Sequence, residues 1–167
     1  AAKDNSFFRN QARDPLNGTK NFTGKSLDTT VILNVNNKWN LIGLPLSVKN
    51  GKKTSLFPTS SSPAYKYNEA YLEEDTLRNF IGYWLKFNSA QNINITGRIL
   101  EDSLVNVNDG WNIISPGSKN VLTNNISSNP GDIILSEFFG YNNGYFKEDT
   151  LKPGKGYWIA SDADINV

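Results

Sequence analysis

Residues 38–45 read KWNLIGLP and residues 65–87 read YKYNEAYLEEDTLRNFIGYWLKF; residues 110–117 and 139–161 give the same text again as GWNIISPG and FGYNNGYFKEDTLKPGKGYWIAS. Trp39 and Trp111 lie 72 residues apart, and Trp84 and Trp158 lie 74 apart. An internal period of this length outranks every local signal, because it means that one folding unit is present twice. Upstream of each first Trp, FTGKSLDTTVILNVNN from Phe22 matches ITGRILEDSLVNVND from Ile95. The copies therefore run over 22–94 and 95–167, preceded by a leader or linker over 1–21 that is rich in Asp, Asn, Arg and Lys. The closing residues INV repeat the INI of 93–95, which immediately precedes the Thr-Gly of copy two, so the sequence ends at a point where a further unit could begin.

Within each copy the hydrophobic period is two. In TTVILNV, residues 29–35, Val31, Leu33 and Val35 share one face, the pattern of a half-buried strand. KWNLIGLPLSV is apolar on both faces and reads as a central strand that stops near Pro45. Asn-Gly, Asp-Gly, Pro-Gly and Asn-Asn pairs punctuate the remaining short apolar runs as turns. Asn36-Asn37-Lys38 and Asn108-Asp109-Gly110 look like matched hairpin turns. Residues 69–80 come nearest to a helix, but their twin carries Gly and Pro at matching places, which argues against one. The expected fold is all-β: two tandem antiparallel units, each a small sandwich or open barrel, packed as one body because units of about 72 residues are marginal alone.

The chain has 17 Lys+Arg against 16 Asp+Glu, so nothing in its charge asks for nucleic acid. It contains no Cys, His or Met, which removes disulfides, thiolate zinc sites, histidine metal sites and Cys- or Ser-His nucleophiles. With 38% hydrophobic and 12% aromatic residues it has the material for a packed core. No apolar run reaches the roughly 18 to 20 residues that span a bilayer.

Carboxylates are the remaining acid-base groups. Glu74-Asp75 and Glu148-Asp149 recur inside E-D-T-L, but neighbours on a strand face opposite ways, whereas a glycosidase pair must face one substrate. A duplicated turn explains them better, and no catalytic residue is expected. Asp162, Asp164 and Asn166 space three oxygens like part of a calcium loop, without its Gly and distal Glu, so neither metal nor cofactor is expected.

The aromatics divide into two groups. Trp39, Trp84, Trp111 and Trp158, with Tyr83 and Tyr157, recur in both copies and are expected as structural core, since large rings anchor packing. Tyr65, Phe80 and Phe87 differ from their counterparts Phe139, Gly154 and Ser161, and are the candidates for binding a ligand by stacking. Pro153-Gly154 is a type II turn pair in which Gly supplies positive φ. Phe80 resists that conformation, so the turn of copy one is expected to differ.

The combined pattern, WNLIGLP with WNIISPG, YKYNEAY with FGYNNGY, and DTLRNFIGYW with DTLKPGKGYW, resembles a repeat module of secreted and cell-surface bacterial proteins associated with type IX secretion. The match covers about 22–167; Leu151 through Trp158 is its most specific stretch, and copy one departs from it at Asn79 and Phe80. The resemblance implies a location outside the cell and a modular context; it carries no catalytic or binding residues with it. The functional expectation is a non-catalytic extracellular spacer, scaffold or adhesive unit whose partners are other domains of the same polypeptide and a polysaccharide or other surface component. A carbohydrate-binding module and a surface-layer or filament subunit are the alternatives.

Overall fold

The computed structural model describes residues 27–101 and 104–163. The expected leader lies outside the described residues, as do the first residues of copy one and most of the calcium-like spacing after Asp162. The fold is all-β with antiparallel strands, and neither main sheet closes into a barrel.

Copy one contains β1 (Thr29–Val35), β2 (Lys38–Ile42), a single helical turn α1 (Lys53–Leu56), β3 (Ala64–Asn68), β4 (Ala70–Glu74) and β5 (Tyr83–Phe87), and is completed by β6 (Gln91–Gly97), which runs across the expected boundary between residues 94 and 95. Copy two contains β7 (Gly110–Ile114), β8 (Val121–Leu122), β9 (Phe138–Tyr141), β10 (Tyr145–Glu148), β11 (Thr150–Leu151) and β12 (Tyr157–Ser161). The four-stranded sheet of copy one runs β2-β5-β3-β4, and that of copy two runs β7-β12-β9-β10. Equivalent strands of the two copies take the same order in their sheets.

In copy one, β1 pairs with β6 in a separate ribbon, with Val31 opposite Ile95 and Leu33 opposite Ile93. This ribbon lays Leu33, Val35, Ile93 and Ile95 on the sheet face that carries Ile42, Ala64, Tyr83, Leu85 and Phe87, and Phe57 and Leu77 close the cluster. That arrangement is a small sandwich, and the period-two face read from TTVILNV is its inner one. In copy two a corresponding core gathers Ile114, Phe138, Leu151, Tyr157 and Ile159, with Val105, Val107 and Val121 against it.

Three expectations about local structure are corrected. The turns at 36–38 and 108–110 are corners between sheets, since β1 pairs with β6 while β2 pairs with β5. The left-handed residues there are Lys38 and Gly110, at φ 74° and 83°. What holds each corner is the Asn after the Trp. Asn40 Oδ1 accepts from Asn36 N–H at 2.8 Å while its Nδ2 donates to the Asn36 and Lys38 carbonyls, and Asn112 repeats all three bonds with Asn108 and Gly110. Secondly, β2 lies at the edge of its own sheet. Thirdly, Phe80 takes φ 68°, close to the 83° of Gly154, so the turn is kept in copy one despite the side chain. Asn79 supports it by donating from Nδ2 to the Leu46 carbonyl at 2.8 Å.

Those last two features have one cause, the contact between copies. Gly156 N–H donates to the Leu41 carbonyl and Gly82 N–H to the Ile113 carbonyl, both at 3.0 Å. Gly43 N–H donates to the Gly154 carbonyl at 3.2 Å and Ser115 N–H to the Phe80 carbonyl at 3.1 Å. Each bond has its mirror in the other copy, which is the signature of an isologous interface with a pseudo-twofold axis. The free edge of β2 is thus capped by the 154–156 turn of copy two, and that of β7 by the 80–82 turn of copy one. A Cβ on Gly82 would run into the Ile113 side chain and come within 3.3 Å of Gly156 Cα, so the two backbones meet where only glycine fits. The two copies form one body.

Candidate functional site

The second face of each four-stranded sheet is covered by the other copy. On β5, Tyr83, Leu85 and Phe87 point to their own sandwich, so Trp84 points the opposite way; β12 does the same with Trp158. Leu41, Trp84, Ile113 and Trp158 make a buried cluster between the sheets, flanked by Tyr65, Tyr67, Phe139 and Tyr141. The rings repeat across the axis. Trp84 meets Tyr141 of copy two edge-on at a centroid distance of 4.8 Å, and Trp158 meets Tyr67 of copy one at 4.9 Å. Trp39 lies 6.4 Å from Trp84, as Trp111 lies 6.2 Å from Trp158. Tyr67–Tyr71 and Tyr141–Tyr145 are both 5.4 Å apart.

This aromatic layer extends past the region where the sheets cover each other and leaves two open grooves. The first, about 470 Å³, is lined by Trp39, Tyr65, Tyr71, Trp84, Tyr141 and Tyr145. The second, about 530 Å³, is lined by Trp111, Phe139, Tyr145, Trp158, Tyr67 and Tyr71. Residue for residue, each is the image of the other under the pseudo-twofold, and Tyr71 and Tyr145 belong to both.

The expected site residues are redistributed accordingly. Trp84, Trp158, Tyr83 and Tyr157 are buried, as core residues should be. Trp39 and Trp111 are not core: they are 38% and 47% exposed at the groove walls, because each begins its strand beyond the cover of the opposing sheet. Tyr65 lines the first groove. Phe87, expected to bind a ligand, lines neither groove: it is fully buried against Phe57 inside copy one. Its mismatch with Ser161 reflects core compensation, because copy two places Phe138 where copy one has Ala64. Phe80 is half-buried at the interface turn and lines neither groove. Tyr67, Tyr71, Tyr141 and Tyr145 also recur in both copies, which points to core as it does for the tryptophans, yet all four line the grooves and Tyr71 and Tyr145 are exposed; Phe139 lines the second groove as the counterpart of Tyr65.

Among the described residues, no charged side chain lines either groove. The Tyr65 hydroxyl donates to Glu73 Oε1 at 3.4 Å; packing, and then the Glu73 carboxylate, raise its pKa. Burial likewise raises that of Tyr145, whose hydroxyl lies beside the Trp158 indole near Tyr71. Among the described residues, the buried Nε1–H groups of Trp84 and Trp158 have no hydrogen-bond partner of ordinary geometry. By contrast the core phenols are occupied: Tyr83 OH accepts from Arg78 N–H at 2.9 Å and Tyr157 OH from Lys152 N–H at 2.8 Å. Burial raises both, Tyr157 to about 12.

The E-D-T-L stretches serve the fold. Leu77 and Leu151 are buried in the two cores, and the Asp75 and Asp149 carbonyls accept from Lys53 and Thr123 N–H at 2.8 Å. Glu74 is paired with Lys66 on β3. Among the described residues there is no group of three or more acidic, His or Cys side chains set to hold a metal, and no helix long and apolar enough to cross a membrane. Comparison with protein-family models, curated proteins and solved structures returns no match.

Proposed function

We propose that this chain is a non-catalytic binding module of a larger secreted or cell-surface bacterial protein, and that its aromatic grooves hold neutral carbohydrate by ring stacking. The observation that carries this reading is the exposure of Trp39, Trp111, Tyr71 and Tyr145 in two equivalent grooves. Rings kept only for packing would be covered, and contiguous exposed apolar surface on a soluble domain marks an interaction site. Planar rings offer flat apolar faces to the C–H face of a pyranose, and the tyrosine hydroxyls offer hydrogen bonds at its edge. Volumes of about 470 and 530 Å³ fall in the range of small-molecule sites, roughly 300–1,000 Å³. Stacking rings and hydroxyls hold a ligand without transforming it, which is why the module is proposed without an activity of its own.

Affinity electrophoresis of the purified chain through gels containing cell-wall and plant polysaccharides tests this. Retardation by at least one neutral polymer, lost in the double variant Trp39→Ala, Trp111→Ala, is the expected result. Unretarded migration in every gel would leave the spacer or scaffold role, and head-to-tail assembly at high concentration would favour the surface-layer subunit.

A further inference from the structure

The copies agree in their four-stranded sheets and differ in the layer laid over them. In copy one that layer is the β1–β6 ribbon. In copy two, Leu104-Val105-Asn106-Val107 stands before Trp111 as Ile32-Leu33-Asn34-Val35 stands before Trp39. Its alternation is the same: Val105 and Val107 turn to the core of copy two, while Leu104 is 81% exposed, as Ile32 is 60% exposed. Leu33 and Val35 are buried, whereas Val105 and Val107 are half-buried. What closes the layer in copy one is β6, which sets Ile93 opposite Leu33 and Ile95 opposite Val31. Among the described residues, no strand pairs with 104–107 and no hydrogen bond reaches their backbone. Unpaired peptide groups beside an apolar row form an edge onto which a strand adds.

We infer that the closing residues of this chain, Ile165-Asn166-Val167, are the strand that adds there, antiparallel to Leu104–Val107, with Ile165 opposite Val107 and Val167 opposite Val105.

Composition, direction and length select this occupant. The segment reads INV where β6 reads INI at 93–95, two apolar residues flanking an Asn, so one face meets the core and the other meets water. Its direction follows from where β12 ends. Ser161 Oγ donates to the Asn108 carbonyl at 2.7 Å and accepts from Asn112 Nδ2 at 3.1 Å. Asn108 directly follows Val107, so the chain leaves β12 beside one end of the open edge, and a strand starting there runs back along it antiparallel. Length sets the register. In copy one the three residues 88–90 join Phe87 to Gln91, which lies opposite Val35. In copy two the three residues 162–164 join Ser161 to Ile165, and Val107 holds the place of Val35. That register puts both apolar residues of the segment on the two half-buried valines, and sets Asn166 opposite Asn106 as Asn92 lies opposite Asn34. The outgoing chain is thereby held to copy two by a ribbon, as β6 holds the passage from copy one to copy two, and both cores are closed in the same way. This reading is independent of what the grooves bind.

Nuclear magnetic resonance of the intact, isotope-labelled chain tests it without any variant. The expected result is backbone Overhauser contacts joining Ile165 to Val107 and Asn166 to Asn106, with slowed amide exchange within 104–107. Contacts of 165–167 in any other register, or with no part of 104–107, overturn the inference. Ile165→Asp should lower the urea midpoint and abolish the protection within 104–107, because it sets a charge against the core. Asn166→Asp, on the outer face, should change neither, and Ile165→Leu should keep the contacts. Equal behaviour of Ile165→Asp and Asn166→Asp would also overturn it.

Discussion

The two copies keep one face alike and let the other diverge. On the shared aromatic face, Trp, Tyr and glycine positions match nearly residue for residue, and even the backbone bonds across the axis are reciprocal. In the separate cores, Ala64 and Phe87 of copy one become Phe138 and Ser161 of copy two, and Ser161 there is tied by hydrogen bonds to Asn108 and Asn112 in place of a ring. A core tolerates exchange when volume is conserved overall, because packing is satisfied by the sum of its parts. A face that must match its own image has no such freedom, since each change meets its equivalent across the axis. Gly43 and Ser115 are the exception that shows the rule: they are equivalent positions that meet each other, and a Cβ on Gly43 would collide with the Ser115 side chain.

The comparison is most severely tested in the cores. Phe87→Ala should cost about 3–5 kcal/mol by cavity formation, and Ser161→Ala only about 1 kcal/mol for its hydrogen bonds, as measured by urea denaturation. Both variants should unfold in a single transition, since the reciprocal interface couples the copies; two separated transitions would show that they melt independently.

Next in size is Gly43→Ser, expected to cost about 1–3 kcal/mol by overpacking against Ser115. Adding Ser115→Gly should restore most of the loss, because the double variant merely exchanges the two residues across the axis. Additive losses in that double-mutant cycle would deny the contact.

A third prediction concerns pH. The folded protein holds the Tyr157 proton to about 12, against an ordinary value of 10.0, mainly through burial. Below pH 10 both states carry that proton, and the stabilisation is fully present. As pH rises from 10 towards 12 the unfolded chain ionises first, so stability falls. Tyr157→Phe should flatten this alkaline decline, and at neutral pH should cost about 1–3 kcal/mol by leaving the Lys152 N–H without its acceptor.

The smallest effect is expected where the grooves themselves differ. Tyr65→Phe copies the Phe139 of the second groove and should alter stability by less than about 0.5 kcal/mol. In calorimetry it should bring two unequal saccharide affinities together, and Phe139→Tyr should do so from the other side.

Much of this was legible in the sequence because duplication labels equivalent residues without any structure. Most strands, the inner face of TTVILNV and the burial of Tyr83 and Tyr157 followed from period two and ring size, but residues 104–107, whose LVNV alternates as β1 does, form no strand among the described residues. Which sheet face each ring would take did not. Trp39 and Leu41 share one side of β2 and Asn40 and Ile42 the other, yet nothing local says that one side meets the ribbon and the other meets the second copy. Exposure of Trp39 depends on where the opposing sheet ends, which is a property of the pair. Difference between copies was a poor guide to binding for a related reason: Phe87 changed because Phe138 filled the volume elsewhere. At Phe80, the steric rule against a left-handed Phe was overridden by the Ser115 N–H that its carbonyl must reach.

The crossed indoles bring a practical benefit. Trp39 stands at 89° to Trp84 and Trp111 at 82° to Trp158, with centroids no more than 6.4 Å apart. Chromophores that close exchange excitation, so each pair should give a split signal in ultraviolet circular dichroism whose sign and size follow the angle between the rings. One member of each pair sits at a groove wall and the other deep in the seam between copies. The protein thus carries two built-in optical gauges, one for each groove, able to register occupancy and the seating of one half on the other without any attached dye.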